Sequence, residues 1–296
     1  MEEPKRTSYD LHLHSCWSYD ALAPVEIYFE WAEKLRMRLI SVTEHHVMDN
    51  LQEVQEAAAR HPDVRYTVGC EFTVNTSIGA VDLVCHGLPT TFSPEFQGML
   101  DAYHDWQRRR GAAYGLGMRR LGFPFTDEAR KGLLESYRPA RVMEVQGLTH
   151  VKNLHQKLYF IERGWIANEE EYADLGKRVA EAVDLPKYPQ VEEVVPVLHR
   201  AGAVVAVAHP TNYFLQGDRK RMDALREEIH FDGVESAHRS ITPELSAVFR
   251  AYCEEHGLYS TGGSDCHQEE DVPARFAAHG GQEAWLDEFM ERVEVL

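Results

Sequence analysis

Histidines and carboxylates recur in this sequence where predicted strands end, and together they have the composition of a metal site. They are His12, His14, Asp20, His45, Glu71, His86, His209, Asp265 and His267. One zinc ion takes three or four protein ligands, so this many converging groups would hold two or three divalent cations, with a carboxylate bridging a pair. Mixed nitrogen and oxygen ligands suit Mn²⁺, Fe²⁺ or Zn²⁺ better than Mg²⁺ or Ca²⁺.

Each of these residues also has a structural interpretation when it is considered alone. His-x-His pairs are common in strands, His45 could be a hydrogen-bonded core histidine, and Asp265 follows two glycines and could cap a helix. His46 competes with its neighbour His45 as a ligand. Recurrence at successive strand ends favours the metal interpretation over many separate structural ones.

Such residues need a fold that brings strand ends together, and the hydrophobic pattern predicts one. The predicted strands cover 9–14, 36–43, 64–70, 81–85, 203–208, 232–235 and 258–261, and the predicted helices cover 24–34, 52–60, 191–200, 219–229 and 243–256. Alternation of this kind is typical of a parallel sheet with right-handed crossovers. Ligand-type residues after nearly every strand favour a closed barrel.

The middle of the chain interrupts this alternation. Residues 93–186 are polar and mainly helical in pattern, apart from a short strand predicted at 141–145. We expect residues 1–92 and 187–296 to form the barrel and residues 93–186 to form a helical subdomain over its mouth. Candidates for substrate contact are Arg108, Arg109, Arg110 and His150 in this insertion, with His238 and Arg239 after a barrel strand. Arginine can clamp phosphate, but a solvated helix face explains the arginine run equally well.

Composition restricts the classes of function. The 31 basic and 48 acidic residues give a net charge of −17, which disfavours binding to duplex nucleic acid but is compatible with a small phosphorylated substrate beside bound cations. Five cysteines without a Cys-x-x-Cys pair argue against a disulfide framework or a zinc ribbon. No apolar run is long enough to span a membrane, and the N-terminus lacks the apolar run of a signal peptide. We therefore expect a cytoplasmic protein without membrane partners, and the sequence leaves its oligomeric state open.

The set of motifs resembles the polymerase and histidinol phosphatase (PHP) superfamily. The resemblance rests on His12-x-His14, Ser18-x-Asp20, Thr43-Glu-His45, Gly69-x-Glu71, Ala208-His209-Pro210 and Gly263-Ser-Asp265-x-His267, in that order. Segments 198–213 and 232–267 are also similar to the branch acting on nucleotides and short RNA, in which a helical insertion precedes the Ala-His-Pro motif. The resemblance implies a distorted, TIM-like (β/α)7 barrel with an inserted helical subdomain.

The resemblance also implies ligands for up to three cations. The first would lie between His12, His14, Glu71 and Asp265, the second between Glu71, His86 and His209, and the third between Asp20, His45 and His267, with Glu71 bridging. The implied activity is hydrolysis of a phosphate ester of a nucleotide, short oligonucleotide or small metabolite. A hydroxide shared by cations that Glu71 and Asp265 hold would attack phosphorus in line. The sequence departs from the family pattern at Glu44, where many members carry aspartate, and at Ala21, where glycine is frequent.

Three other functions remain open at this point. One is histidinol-phosphate phosphatase, because the same superfamily includes it. Another is metal-dependent hydrolysis of a C–N or C–O bond, because a barrel with imidazole ligands can also activate water toward a carbonyl carbon. The third is a PHP-like regulatory module without activity, whose signature would be lost ligands, and here all the ligand positions are filled.

Overall fold

One sheet of seven strands forms the centre of the protein, and strands adjacent in the chain are adjacent in the sheet. The computed structural model describes residues 5–296. The strands are β1 (Tyr9–Leu13), β2 (Leu39–His45), β3 (Gly69–Thr76), β4 (Gly79–His86), β5 (Val204–Val207), β6 (Gly233–Ala237) and β7 (Tyr259–Gly262). β1 pairs with β2, and Leu13 also bridges Cys266 just beyond β7. The sheet therefore curls into a nearly closed barrel, as the sequence predicts.

Twelve α-helices accompany these strands in the part of the chain that the structure describes. They are α1 (Val25–Leu35), α2 (Leu51–Arg60), α3 (Pro94–Arg120), α4 (Asp127–Glu135), α5 (Ala140–Gln146), α6 (Asn153–Glu162), α7 (Glu169–Ala182), α8 (Val191–Arg200), α9 (Arg219–Ile229), α10 (Pro243–His256), α11 (Val272–Arg275) and α12 (Glu283–Met290). α1 shows why such segments form helices, because Val25, Tyr28, Phe29 and Ala32 recur at helical spacing and are all buried. No helix among the described residues is both long and apolar enough to cross a membrane.

The chain divides into two compact units. The first contains the described residues up to Leu100 together with Pro189–Leu296, and it includes the whole barrel. The second is Asp101–Tyr188, which contains most of α3 and all of α4 to α7. The second unit has its own apolar core, which includes Phe125, Leu134 and Phe160.

The junction between β1 and the segment after β7 closes the barrel. The backbone N–H of Asp265 donates to the His12 carbonyl at 2.8 Å, and the N–H of His14 donates to the Cys266 carbonyl at 2.9 Å. Gly263 permits this approach, because a Cβ atom there would lie 2.2 Å from the Cβ of His12. We call these contacts the barrel seam.

The parallel arrangement predicted from the sequence is wrong for β4. Only Ser77 and Ile78 separate β3 from β4, which is enough for a hairpin, whereas a parallel crossover needs a dozen or more residues. β4 therefore runs antiparallel to both β3 and β5, with Val84 opposite Glu71. β3 also begins later than predicted, so Glu71 lies within the strand instead of after it.

The strand predicted at 141–145 is also wrong, because these residues belong to α5. Pro139 precedes this helix and Gly147 follows it, which are favourable residues at the two ends. Val142 and Gln146, four residues apart, are buried, whereas Glu144 is exposed. Helical spacing thus keeps the glutamate in solvent, which strand alternation would have placed on the same face as the two buried residues.

Candidate metal centre

The predicted ligands other than His86 form one continuous cluster at the mouth of the barrel. Three overlapping groups within it have ligand atoms close enough to share an ion: His12, His14 and Asp265; His12, Glu71 and His209; and His14, His45 and His267. The first of these groups is fully buried, and the other two are partly open to solvent. Residues at the ends of β1 and β7 contribute to two of these groups, and the remaining group combines β1, β3 and the segment after β5.

The first group has the spacing of a coordination shell. The Nε2 atoms of His12 and His14 are 3.0 Å apart, and Glu71 Oε2 is 3.2 Å from each of them. Asp265 Oδ1 lies 3.3 Å from His14 Nε2 and 3.7 Å from His12 Nε2. Ligands about 2.0–2.2 Å from a common ion lie about 3.0–3.6 Å apart in a tetrahedral or octahedral shell. These four residues therefore fit a divalent cation in both donor type and spacing.

Glu71 connects this group to the second. Its Oε2 atom faces His12 and His14, while its Oε1 atom is 3.0 Å from Nε2 of His209. The side chain of Glu71 is fully buried, and that of His209 is 14% exposed. A carboxylate whose two oxygens face different imidazole groups has the arrangement of a bridging ligand.

The third group is rich in imidazole. The rings of His45 and His267 each stack on His14, with centroids 4.3 Å apart. Asp20 Oδ2 lies 3.6 Å from His45 Nε2 and 3.4 Å from His267 Nε2. Nδ1 of His45 also lies 3.1 Å from Glu71 Oε2, so this group joins the same carboxylate.

Hydrogen bonds behind the cluster fix which ring nitrogens face inward. Nδ1 of His12 is 2.9 Å from Glu235 Oε1, and the buried carboxylate can only accept there. Nδ1 of His14 is 3.1 Å from Ser18 Oγ, whose hydroxyl donates to Glu44 Oε2 at 2.6 Å. Both imidazoles thus present Nε2 to the cluster, which is how outer partners orient metal-binding histidines.

Burial and neighbouring charges act in opposite directions on the pKa values of the cluster. Burial acts to raise the pKa of Glu71, but the neighbouring His12 and His45 hold that pKa well below its usual range. Burial acts to lower the pKa of His209, but the contact with Glu71 raises it to about 9. The charge of Asp20 likewise overcomes burial and raises the pKa of His267 to about 9. Protons therefore occupy imidazoles that a cation would use.

His86 does not join the cluster. Its Nε2 atom is 2.8 Å from the Leu11 carbonyl, and its ring packs edge-on against Phe289 with centroids 5.0 Å apart. Burial lowers its pKa to about 4, so the ring is neutral. Because β4 is antiparallel, the end of this strand points away from the mouth, and the carboxylate of β4 that approaches the cluster is Asp82, 3.9 Å from His209.

The competition between His45 and His46 also has a structural answer. His45 faces the cluster, whereas Nε2 of His46 is 2.7 Å from the hydroxyl of Thr73. His46 has a positive φ of 64°, which turns its side chain away from the direction of its neighbour. Glu44, the departure from the family pattern, is buried behind Ser18 and does not face the cluster.

Candidates for substrate contact are divided between the two units. In the first unit, Nε2 of His238 lies 3.4 Å and Nη2 of Arg239 lies 2.9 Å from Oδ2 of Asp265. Arg239 is 45% exposed at its side chain and is therefore accessible to a ligand.

The remaining candidates belong to the second unit. Nε of Arg108 donates to the Gln146 carbonyl at 2.9 Å, and Arg109 pairs with Asp105 at 3.1 Å. The ring of His150 lies 5.3 Å from that of Trp106. Contact of substrate with these residues and with Arg110 stays a prediction.

Sequence reasoning did not identify three carboxylates that contact the histidines of the cluster in the structure, directly or through a serine hydroxyl. Glu235 contacts Nδ1 of His12, and its other oxygen accepts from the backbone N–H of His209 at 2.6 Å. Glu44 and Asp82 complete the set. Glu235 had a recognisable signal, because it is the one carboxylate in the otherwise uncharged strand Gly233–Ala237. Asp82 had no such signal, because its position relative to the cluster depends on the direction of β4.

Comparisons with known proteins show which family and fold this chain resembles. A family model described as PHP domain matches residues 10–256. A 5'-3' exoribonuclease of Haemophilus influenzae is 23% identical over 88% of this chain and 89% of its own length. A 3',5'-nucleoside bisphosphate phosphatase of Chromobacterium violaceum is 24% identical over 87% of this chain and 86% of its own length. A solved structure assigned as a metal-dependent phosphoesterase from Bifidobacterium adolescentis has a TM-score of 0.71 at 21% identity, covers 99% of this chain and 98% of its own, and is alike in fold.

Proposed function

We propose that this chain, which belongs to the PHP domain family, hydrolyses a phosphate ester of a nucleotide or short oligonucleotide at two or three divalent cations in the barrel mouth. The observation that carries the proposal is the position of Glu71. Its two buried oxygens contact imidazoles of different groups, with His12, His14 and His45 on one side and His209 on the other. A cluster built around such a carboxylate suits paired cations.

The residues divide into those that hold cations and those that orient them. His12, His14, Glu71 and Asp265 would hold the first, Glu71 and His209 the second, and Asp20, His45 and His267 the third. Cations bound there supply an activated water and stabilise negative charge on phosphoryl oxygens. Glu235 holds the ring of His12, and the Ser18–Glu44 pair holds the ring of His14. Mn²⁺, Fe²⁺ and Zn²⁺ all suit this donor set.

Arg239 supports a phosphorylated substrate at this position. Its guanidinium already contacts the cluster through Asp265, and its exposed side leaves donors for an anionic ligand. The net charge of −17 makes a local cation of this kind necessary for capture of an anion. The nucleotide class is supported by the names of the two curated relatives, an exoribonuclease and a nucleoside bisphosphate phosphatase.

The test combines metal analysis with a substrate panel. The chain, purified without chelator, is analysed for metals and assayed with Mn²⁺ against an aryl phosphate, a nucleoside 3',5'-bisphosphate, a 5'-phosphorylated short RNA and histidinol phosphate. We expect two or three cations per chain and the fastest turnover on one of the two nucleotide substrates. Asp265→Asn should lose cations and turnover, whereas Glu192→Gln, which removes an exposed carboxylate on α8, should retain both.

Two results would contradict the proposal. Preferred turnover of histidinol phosphate would replace the nucleotide class with the other phosphatase activity. A chain that retains no cation and shows no cation-stimulated turnover would instead be a regulatory module.

A further inference from the structure

We propose that Asp82 is the ligand that completes the cation position between Glu71 and His209, in place of His86. The inference rests on the proposed function only in requiring a cation between Glu71 and His209. It assigns this chain a second carboxylate at that position, where the sequence suggested an imidazole.

The hairpin of β3 and β4 decides which residue reaches the cluster. Glu71 lies opposite Val84, and side chains alternate along a strand, so Asp82, Val84 and His86 share the face of Glu71. Along the antiparallel β4, Asp82 lies one step toward the mouth from the level of Glu71, and His86 lies one step away from it. His86 already contacts the Leu11 carbonyl at that deeper level.

Distances place Asp82 within the reach of the same ion as His209. Its Oδ2 atom is 3.9 Å from Nε2 of His209, which is itself 3.0 Å from Glu71 Oε1. In an octahedral shell, ligand atoms on neighbouring positions are about 3 Å apart and those on opposite positions about 4 Å apart. The carboxylate is 25% exposed, so a hydrated cation has access to it.

Asp82 is held in place by hydrogen bonds from behind. The hydroxyl of Thr73 donates to Oδ1 at 2.6 Å, and the hydroxyl of Tyr213 donates to Oδ2 at 2.6 Å. Tyr213 also accepts from the backbone N–H of Asp82 at 3.0 Å. Each carboxylate oxygen keeps a free lone pair, and ligating carboxylates are commonly oriented in this manner.

The charge around Asp82 also favours a cation. Within 4 Å, His209 is the basic side chain that pairs with it among the described residues. The carboxylates of Glu71 and Asp82 both lie within 4 Å of Nε2 of His209, so two negative charges face one position. A divalent cation neutralises both.

This assignment makes the cation positions chemically unequal. Two carboxylates and one imidazole surround the position at Asp82, whereas two imidazoles and one carboxylate surround the position at Asp20, His45 and His267. Oxygen-rich shells favour Mn²⁺, and imidazole-rich shells suit Zn²⁺ or Fe²⁺. We infer that the position at Asp82 is the one that prefers Mn²⁺.

The experiment counts cations instead of turnover. Chelator-treated parent, Asp82→Ala, Asp82→His and His86→Gln proteins are titrated with Mn²⁺, dialysed identically and analysed for bound metal. We expect Asp82→Ala to retain one Mn²⁺ fewer per chain than the parent, with the Kd for that ion raised at least about tenfold, since even outer partners of metal ligands contribute that much. His86→Gln should retain the parent's number. Asp82→His should regain the ion and, with equal Mn²⁺ and Zn²⁺ present, take up Zn²⁺ there.

Three outcomes would overturn the assignment. These are an Asp82→Ala protein with the parent's metal number and affinity, loss of the ion in a folded His86→Gln protein, and a parent that retains no cation. If circular dichroism shows that Asp82→Ala is unfolded, Asp82→Asn preserves the shape and should lose the same ion. A parent that retains its cations without hydrolysing the substrate panel would contradict the proposed function while leaving this metal count decisive.

Discussion

Two levels of the barrel contain histidines, and their partners differ in kind. At the mouth, His209 and His267 face the carboxylates of Glu71 and Asp20. At the deeper level, His86 bonds to the backbone carbonyl of Leu11. Residue type is the same at both levels, and burial does not separate them either, because His12 and His14 at the mouth are as buried as His86.

The carboxylates make the difference, and it appears as opposite shifts in pKa. Contacts with Glu71 and Asp20 raise the pKa values of His209 and His267 to about 9, while burial lowers that of His86 to about 4. Positive charge is therefore favoured at His209 and His267 and disfavoured at His86, whereas at His45 burial outweighs the same carboxylates and lowers the pKa. A cation at the mouth would replace protons that the carboxylates already attract.

Removing the central carboxylate should have the largest effect on this contrast. Glu71→Gln leaves His12, His14 and His209 in place but removes the charge that they share. We expect both cation affinity and kcat/KM to fall by more than about 100-fold, the upper end of what loss of an outer partner costs. Metal analysis and steady-state kinetics measure this. A folded Glu71→Gln protein with the parent's metal content would show that the imidazoles hold the cations without the charge of this carboxylate.

Glu235→Gln should have a smaller effect, because Glu235 acts on the cluster through other groups. It bonds to Nδ1 of His12 and accepts from the backbone N–H of His209. We expect the Kd of bound Mn²⁺ to rise about 10- to 100-fold, as for other outer partners of metal ligands. Calorimetric titration checks the change, and the thermal midpoint at saturating Mn²⁺ serves as the control for folding. An unchanged Kd would assign Glu235 a purely structural role.

The pH dependence of cation binding should give the smallest and most graded effect. Since the pKa values of His209 and His267 are raised to about 9, both rings are protonated at pH 7.5 in the metal-free protein. Cation binding must release those protons, so affinity should rise from pH 7 to 9 by about tenfold per pH unit for each proton displaced.

The same protons stabilise the metal-free fold, with the opposite dependence on pH. Their contribution is complete below the ordinary histidine pKa of about 6.5 and disappears as pH rises through about 9.

Calorimetry in two buffers of different ionisation enthalpy directly measures the proton release that accompanies cation binding. Binding without proton release at pH 7.5 would mean that the two levels of histidines do not differ in charge.

Much of the fold and the cluster was predictable because parallel strands place their carboxyl ends at one edge. That rule located His45 at the end of β2, His209 after β5 and Asp265 after β7 from the sequence alone. The family, the barrel fold and the enzyme class, a metal-dependent phosphoric ester hydrolase, are confirmed by the family match together with the relatives and the fold comparison.

The wrong or missing predictions share a physical cause. Each correct answer depends on the direction of a strand or on the partner of a side chain, and the residue pattern records neither. A short run such as 81–86 gives the same pattern in either direction along the barrel. The sequence therefore predicted His86 as the ligand, where we propose Asp82. Glu235 contributes through a hydrogen bond to another ligand, and such a role has no spacing signature. The 141–145 segment contains two valines, which favoured a strand, whereas the burial of Val142 and Gln146 at helical spacing fits the helix that forms.

The backbone contacts of the barrel seam both close the barrel and bring ligands of the candidate metal centre together. His12 and His14 bond through their backbones to Asp265 and Cys266, while the side chains of His12, His14 and Asp265 face a common cation position. Local opening of the seam would separate these ligands, so a cation bound there opposes that opening by mass action. Cation binding should therefore stabilise the contact between β1 and the segment after β7. The metal centre would then contribute to the stability of the closed barrel as well as to the chemistry.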